Sequence, residues 1–161
     1  MTMQSWTTTT PVGPLSVITN DGVVIASGFR ELSDTRSRLA DQTSAIVPAE
    51  RIDGVSDAVL AYFAGDVSAL DDVPVAQPGG PFQQQVWTSM RGIAAGQVWS
   101  YSELATKAGR PSAVRAAASA CARNMVAPFV PCHRVVRSDG SLGGYYYGLD
   151  TKQWLLDHER G

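Results

Sequence analysis

Cysteine and histidine are scarce in this sequence of 161 residues, with two of each and none before residue 121. Cys121 and Cys132 lie eleven positions apart, which does not make the framework of several disulfides that stabilises small secreted proteins. They also lack the ligand spacing of a structural zinc site. We therefore predict no metal site and no cofactor.

Long apolar runs are also missing. No segment approaches the ~18 consecutive apolar residues that a membrane helix needs, and no basic-then-apolar leader precedes a cleavage site at the start of the sequence. Hydrophobic residues make up 44% and charged residues 17%, which is ordinary for a globular protein. We expect a cytoplasmic protein that does not contact a membrane.

Positive charge is short in the first half of the chain. Residues 1–80 contain four basic and ten acidic side chains, whereas residues 81–161 contain nine basic and five acidic ones. The formal net charge of −2 therefore combines −6 in the first half with +4 in the second. Any polyanionic partner is expected to bind the second half.

The residues that are present divide the chain into two predicted domains. Residues 1–75 are expected to form a small α/β domain with an antiparallel sheet, because β-rich runs at 15–18 and 23–29 flank the turn signal Asn20-Asp21-Gly22. An amphipathic helix follows, with Asp53 as its predicted N-cap. A segment rich in Asp and Pro then leads into the second domain.

Residues 76–161 are predicted to form a mostly α-helical domain. The pattern Ser100-x-x-Glu103 is a capping box that predicts a helix start. A second helix is predicted over 111–123, with Pro111 at its first helical position. Two helices joined by a tight turn that contains glycine indicate a helix-turn-helix.

The second of these helices has an unusual, alanine-rich composition. Small side chains are more often a sign of close helix packing, but they also allow a backbone to approach DNA closely. Arg115 projects from this otherwise smooth helix and could then enter a groove or the base stack. Both interpretations stay open on the residues alone.

The chemistry-bearing pair is Cys132 and His133. A thiol becomes a strong nucleophile when a neighbouring imidazole removes its proton. In a regular strand the two side chains would point to opposite faces, so sharing a proton requires a local turn or a bridging water. The alternative is that Cys132 is a small buried hydrophobic residue.

The segment Pro131-Cys132-His133-Arg134-Val135-Val136 resembles the active-site signature of the O6-alkylguanine-DNA alkyltransferases. Further landmarks of that family follow its order over residues 82–159, namely Phe82-x-x-x-Val86-Trp87, Ser100-Tyr101, Arg115-Ala116, Asn124 and Trp154-Leu155-Leu156 before Glu159. The first eighty residues resemble the family only in plan, as its small α/β domain.

The resemblance implies a DNA repair protein. Such a protein flips O6-alkylguanine, mainly O6-methylguanine, out of duplex DNA and transfers the alkyl group irreversibly and stoichiometrically to its own Cys132. O4-methylthymine is an open second substrate. The implied partner is double-stranded DNA with an alkylated guanine, contacted through the minor groove by a monomer, and cooperative binding is left open. In a bacterium this protein would be associated with the nucleoid.

The resemblance also implies roles for five catalytic residues. Cys132 is the alkyl acceptor, His133 activates it through a water molecule, and Glu159 orients the imidazole. Asn124 holds the recognition helix to the active-site segment. Tyr101 donates a hydrogen bond to N3 of the departing guanine.

Two further groups follow from the resemblance. Arg115 is the expected arginine finger that replaces the flipped nucleotide, and the other expected DNA contacts are Ser102, Ala116, Ser119 and Arg123. The expected substrate pocket is formed by Tyr101, Cys121, Val135, Tyr145, Tyr146 and Tyr147.

Two departures from the family pattern carry expectations. Met125 follows Asn124 where proline is usual, which predicts a looser hinge. Tyr147 is bulky where many members have a small residue, which predicts a pocket that accepts a methyl group and excludes a benzyl group. Tyr146 is the competing candidate for this position, because three tyrosines follow one another.

Two other functions are considered. A non-catalytic alkyltransferase-like protein would bind lesions without repairing them, but those relatives replace the cysteine that is present here as Cys132. A cysteine hydrolase would use the Cys132–His133 pair, but it would leave the helix-turn-helix and Arg115 without a purpose.

Overall fold

The first part of the chain is built on a four-stranded sheet. In a computed structural model that describes all 161 residues, the strands are β1 (Met3–Thr10), β2 (Gly13–Asn20), β3 (Val23–Gly28) and β4 (Val47–Pro48). Their order is β3-β2-β1-β4; β2 pairs antiparallel with β1 and β3, and β4 pairs parallel with β1. Strand β1 was not predicted, because its run of threonines lacks a regular alternation of apolar and polar residues.

Two helices accompany this sheet, α1 (Leu32–Ser37) and α2 (Ser56–Phe63). Asp53 does not cap α2, which corrects the sequence prediction. The chain makes a turn before the helix, in which the amides of Val55 and Ser56 both donate to the carbonyl of Ile52. Asp53 therefore lies before the helix start, with its carboxylate fully exposed near Arg51.

The structure divides the chain into two units. The first contains Met1–Gln77 together with Met125–Phe129, and the second contains Pro78–Asn124 together with Val130–Gly161. The sequence predicts a single boundary after residue 75. In the structure the first unit also includes the short segment Met125–Phe129. Met125 explains why this segment belongs to the first unit, because it packs with the buried Ile18 and Ala26, and its carbonyl accepts the amide of Ser27.

The second unit is mostly helical. Its elements in chain order are α3 (Pro81–Met90), β5 (Trp99–Ser100), α4 (Tyr101–Lys107), α5 (Val114–Arg123), a 3-10 turn (Cys132–Arg134), β6 (Val135–Val136) and α6 (Leu149–Arg160). Strands β5 and β6 pair in parallel. None of the helices in either unit is both long and apolar enough to cross a membrane.

Helix α4 begins where the sequence predicts, whereas helix α5 begins later than predicted. The capping box is confirmed, since Ser100 Oγ accepts the amide of Glu103 at 3.1 Å and the Glu103 carboxylate accepts the amide of Ser100 at 3.2 Å. Helix α5 begins at Val114 instead of Pro111. The amide of Ala113 donates to the carbonyl of Arg110, so the intervening residues form a turn before the helix.

Helix α5 has two different faces, and each matches one interpretation of its alanines. Ala117 and Ala120 are fully buried, and the carbonyl of Ala120 accepts the indole N–H of Trp87 from α3 at 2.9 Å. Arg115 and Ala116 lie on the exposed side. The small residues thus permit close packing on one side and leave a smooth surface on the other.

Candidate active site

Cys132 begins the 3-10 turn that interrupts the apolar segment around it. The turn is closed by hydrogen bonds from the amide of Cys132 to the carbonyl of Val130 at 2.9 Å and from the amide of Arg134 to the carbonyl of Pro131 at 3.0 Å. It supplies the local turn that Cys132 and His133 require if both are to serve one proton transfer. The thiol is half-buried and lines a cavity of about 290 Å³.

The cavity lies entirely within the second unit and draws its walls from α4, α5 and the loop before α6. The lining residues are Tyr101, Ala118, Cys121, Ala122, Asn124, Cys132, Gly144, Tyr145, Tyr146 and Tyr147. Five of the six residues expected to form the pocket are therefore brought together. Val135 does not line the cavity, and its side chain is fully buried; the contact that the resemblance implies for its backbone carbonyl stays a prediction.

His133 is buried beside the thiol and bound to Glu159. Its Nε2 lies 2.8 Å from Glu159 Oε2, and because a carboxylate only accepts hydrogen bonds, Nε2 carries the proton. The other ring nitrogen, Nδ1, is then a lone-pair acceptor with no protein partner. Burial lowers the pKa of His133, although the hydrogen bond with Glu159 opposes this shift. The imidazole is therefore neutral and able to accept a proton.

Arg134 is a member of this network that the sequence analysis did not assign. Its guanidinium donates from Nε and Nη2 to the two oxygens of Glu159, at 2.8 and 2.9 Å, and from Nη1 to the carbonyl of Ile93 at 2.7 Å. Burial alone would raise the pKa of Glu159, but the hydrogen bonds from His133 and Arg134 outweigh it and lower the pKa to about 2. One signal was available in the sequence, since Arg134 is a lone charge inside an apolar run.

Asn124 joins the end of α5 to the active-site segment. Its side-chain amide donates to the carbonyl of Val130 at 2.8 Å, two residues before Cys132. The next residue, Met125, donates its amide to the side chain of Gln77 at 2.9 Å. A proline at position 125 could not make that bond, so this departure from the family pattern brings a hydrogen bond of its own.

Tyr101 packs closely against the loop before α6, because Gly143 has no side chain to block it. Glycine is required at position 143 for two reasons. A Cβ there would lie 2.9 Å from the Tyr101 hydroxyl, and the backbone has a φ of +72°, which favours glycine. Burial is the main cause that raises the pKa of Tyr101 to about 12. The phenol therefore stays protonated and can donate a hydrogen bond.

Lys152 is a second residue that the sequence analysis missed. It extends from α6 and is fully buried, and its Nζ donates to the carbonyls of Val135 at 2.7 Å, Gly144 at 3.1 Å and Leu142. Burial lowers the pKa of Lys152. This ammonium group fixes the backbone of the loop that forms one wall of the cavity, and no local pattern predicts it.

Comparisons with known proteins identify the family of this chain. Residues 81–161 match the family model described as 6-O-methylguanine DNA methyltransferase, DNA binding domain. The methylated-DNA–protein-cysteine methyltransferase of Shigella flexneri is 41% identical over 93% of this chain and 91% of its own length. The chain belongs to the methylated-DNA–protein-cysteine methyltransferase family.

Solved structures extend the similarity to the whole fold. The O6-methylguanine methyltransferase of Mycobacterium tuberculosis superposes with a TM-score of 0.81 at 32% identity, over 98% of this chain and 93% of that one. The M. tuberculosis OGT in complex with DNA gives a TM-score of 0.81 at 33% identity, over 98% of this chain and 92% of that one. The expected family, fold class and enzyme class are thus confirmed: this methyltransferase binds DNA and acts in DNA repair by alkyl transfer.

The residues expected to contact DNA in this methyltransferase all lie in the second unit, on the two helices of the predicted helix-turn-helix. Four are on α5 and one, Ser102, is on α4; the four are Arg115, Ala116, Ser119 and Arg123. All five are exposed, while Ala117 and Ala120 form the buried side of α5. Their role in DNA binding stays a prediction.

The three tyrosines that line the cavity differ in exposure. Tyr146 is 54% exposed, whereas Tyr145 and Tyr147 are half-buried. The ring of Tyr147 packs edge-on against Tyr145 at 5.5 Å and against Tyr146 at 4.9 Å, and Tyr145 lies 6.4 Å from the ring of His133. Tyr147 is therefore packed between the two other tyrosines at the cavity wall, and its role in restricting the substrate stays a prediction.

Proposed function

We propose that this methyltransferase flips O6-alkylguanine, mainly O6-methylguanine, out of duplex DNA and transfers the alkyl group irreversibly to Cys132. O4-methylthymine is a second candidate substrate. The observation that carries the proposal is the placement of the Cys132 thiol on a cavity of about 290 Å³, next to a neutral, buried His133. The experiment that tests it is the mapping of a transferred methyl group.

The first step is activation of the thiol. Nδ1 of His133 is a buried acceptor, and such atoms are usually satisfied by a protein group or an ordered water. A water hydrogen-bonded to Nδ1 can pass the thiol proton to the imidazole, while Glu159 holds Nε2–H in place. The imidazole then serves as the general base, and the thiolate is the nucleophile.

The transfer itself is a displacement at an sp3 carbon. The thiolate of Cys132 forms a C–S bond as the C–O bond at O6 breaks, and the bonding electrons pass to the purine. The departing guanine needs a proton or a hydrogen bond to stabilise its developing negative charge. Tyr101 stays protonated because its pKa is raised to about 12, so its hydroxyl can donate to N3.

The product explains why each molecule acts once. The alkyl group ends as a thioether, which has no proton to lose and is a poor leaving group. No second nucleophile stands ready, since burial raises the pKa of the Cys121 thiol and keeps it protonated. The proposed reaction is therefore stoichiometric.

Access to the target requires base flipping, because the alkyl carbon lies inside the duplex. The cavity of about 290 Å³ lies at the small end of ligand pockets, which are typically about 300–1,000 Å³, and a single base is a ligand of that small class. The exposed alanine surface of α5 allows close approach through the minor groove, and Arg115 can then fill the gap in the stack. We propose that one monomer performs this step.

The test is mass spectrometry of the protein after incubation with a duplex that contains O6-methylguanine. We expect one methyl group per molecule, on the peptide that contains Cys132 and not on the one that contains Cys121. Cys132→Ser should lose the transfer and keep duplex binding in a gel-shift assay. Repeated turnover would favour a hydrolase, and lesion binding without any transfer would favour a non-catalytic lesion-binding protein.

A further inference from the structure

A charged group at the edge of the cavity has no role in the mechanism above. Arg137 follows β6 and begins a turn in which its amide donates to the carbonyl of Ser141 at 3.0 Å and its carbonyl accepts the amide of Gly140 at 3.0 Å. Its backbone is thus fixed, while its side chain is exposed. The guanidinium makes no salt bridge and no hydrogen bond within the protein, although its charge helps to lower the pKa of Asp139, which depends mainly on Ser141.

The turn places Arg137 beside Tyr101. The point where a Cβ of Gly143 would lie is 2.9 Å from the Tyr101 hydroxyl and 3.5 Å from Cγ of Arg137. The residues that follow each of the two, Ser102 and Ser138, are both exposed, and their hydroxyls lie 3.5 Å apart. The exposed side chain of Arg137 and the two exposed hydroxyls therefore belong to residues at or next to Tyr101, which lines the cavity.

This arrangement fits an anion, and the proposed function supplies one. When a base enters the cavity, its sugar and the two flanking phosphates stay outside, because the DNA strand is continuous. A guanidinium can bind a phosphate through two parallel hydrogen bonds, and hydroxyls can add to them. We infer that Arg137, with Ser102 and Ser138, binds one of the two phosphates that flank the flipped nucleotide.

The inference rests on base flipping as proposed above, and it has one physical competitor. The positive charge of Arg137 also tends to lower the pKa of Tyr101, against the larger effect of burial. Arg137 could thus act through Tyr101 on the leaving guanine and not on the DNA backbone. The two roles differ in one respect: a phosphate contact serves only DNA, whereas an effect on Tyr101 serves the free base as well.

The experiment measures methyl transfer by Arg137→Ala and Arg137→Lys on two substrates, duplex DNA with O6-methylguanine and the free base. We expect Arg137→Ala to slow transfer from the duplex on the order of tenfold, as for loss of a charge-assisted hydrogen bond, and to leave the free-base rate within about twofold. Arg137→Lys should recover part of the loss. Arg160→Ala, which removes another exposed arginine of the same unit, is the matched control.

Two further measurements locate the contact. The slope of log affinity against log salt should fall by about 0.9 in Arg137→Ala, the contribution of one phosphate on B-DNA. A neutral methylphosphonate at one flanking phosphate should slow the wild-type protein and have no additional effect on Arg137→Ala.

The contrary outcomes are distinct. Equal losses on duplex and free base would assign Arg137 to Tyr101, and a loss no larger than that of Arg160→Ala would make it a general surface charge. A wild-type protein that gains no methyl group would contradict the proposed function, while the salt slope would still report on the phosphate contact.

Discussion

The buried carboxylate of Glu159 should contribute several kilocalories per mole to stability, and Glu159→Gln measures that contribution. Three hydrogen bonds converge on this group, one from His133 and two from Arg134. They hold its pKa at about 2, against an ordinary value of 4.5. At about 1.4 kcal/mol per pKa unit, the difference corresponds to about 3 kcal/mol of folding free energy at neutral pH. This agrees with the ~3–5 kcal/mol that removal of one partner of a buried ion pair costs.

The pH dependence follows from the sign of the shift. The pKa of Glu159 is lower in the folded state, so its stabilisation is complete above the unfolded-state value near 4.5 and is lost as the pH falls toward about 2. Glu159→Gln should therefore lower the free energy of unfolding by about 3 kcal/mol at pH 7 and by progressively less in acid.

Urea unfolding at a series of pH values is the assay. Asp157→Asn is the matched control, because Asp157 is an exposed carboxylate on the same helix, α6, and should change stability very little. A difference between wild type and Glu159→Gln that stays constant from pH 7 into acid would refute the argument. So would a loss no larger than that of the control.

Three other substitutions test the cavity and the DNA-binding surface. Lys152→Met should lower the free energy of unfolding by about 2–4 kcal/mol, because buried carbonyls lose their charged donor, and it should also slow methyl transfer. An unchanged midpoint of urea unfolding would contradict the expected loss of stability. Tyr147→Gly should make the protein reactive toward free O6-benzylguanine with little effect on methyl transfer, whereas Tyr146→Gly, at the more exposed tyrosine, should leave both reactivities nearly unchanged. The measurement is the rate at which each substrate inactivates each variant. Rapid inactivation of the wild-type protein by O6-benzylguanine would contradict the prediction. Arg115→Ala should cost about 1–3 kcal/mol in duplex repair, by analogy with stacking contacts to bases, and should spare the free base; equal losses on both substrates would make Arg115 a structural residue.

Several features of this protein were predictable because their causes are local in the sequence. The capping box of Ser100 and Glu103 forms between residues three positions apart, and the helix it predicts is present. The turn at Asp21-Gly22 depends on residues that adopt positive φ, here +51° and +82°. The ordered landmarks around Cys132 identified the family, and the comparisons confirm it.

Local patterns failed where the outcome depends on partners elsewhere in the chain. Strand β1 is poor in apolar alternation, and it is a strand because β2 and β4 pair with it on either side. Asp53 looks like a helix cap, but hydrogen bonds to the carbonyl of Ile52 start the helix later. Helix α5 likewise begins after Pro111, because a hydrogen bond between Arg110 and Ala113 forms a turn there.

The sequence by itself determined the fold class and the family, because both are encoded in residue types at short or ordered spacings; Cys132 as the nucleophile stays a prediction. Only the tertiary structure decided how the site is held together. Arg134 meets Glu159 across 25 positions, and Lys152 meets the Val135 carbonyl across 17. A buried charge is costly unless it is paired, and the sequence carries no record of which distant atoms will pair with it. Those partners exist only once the helices have packed.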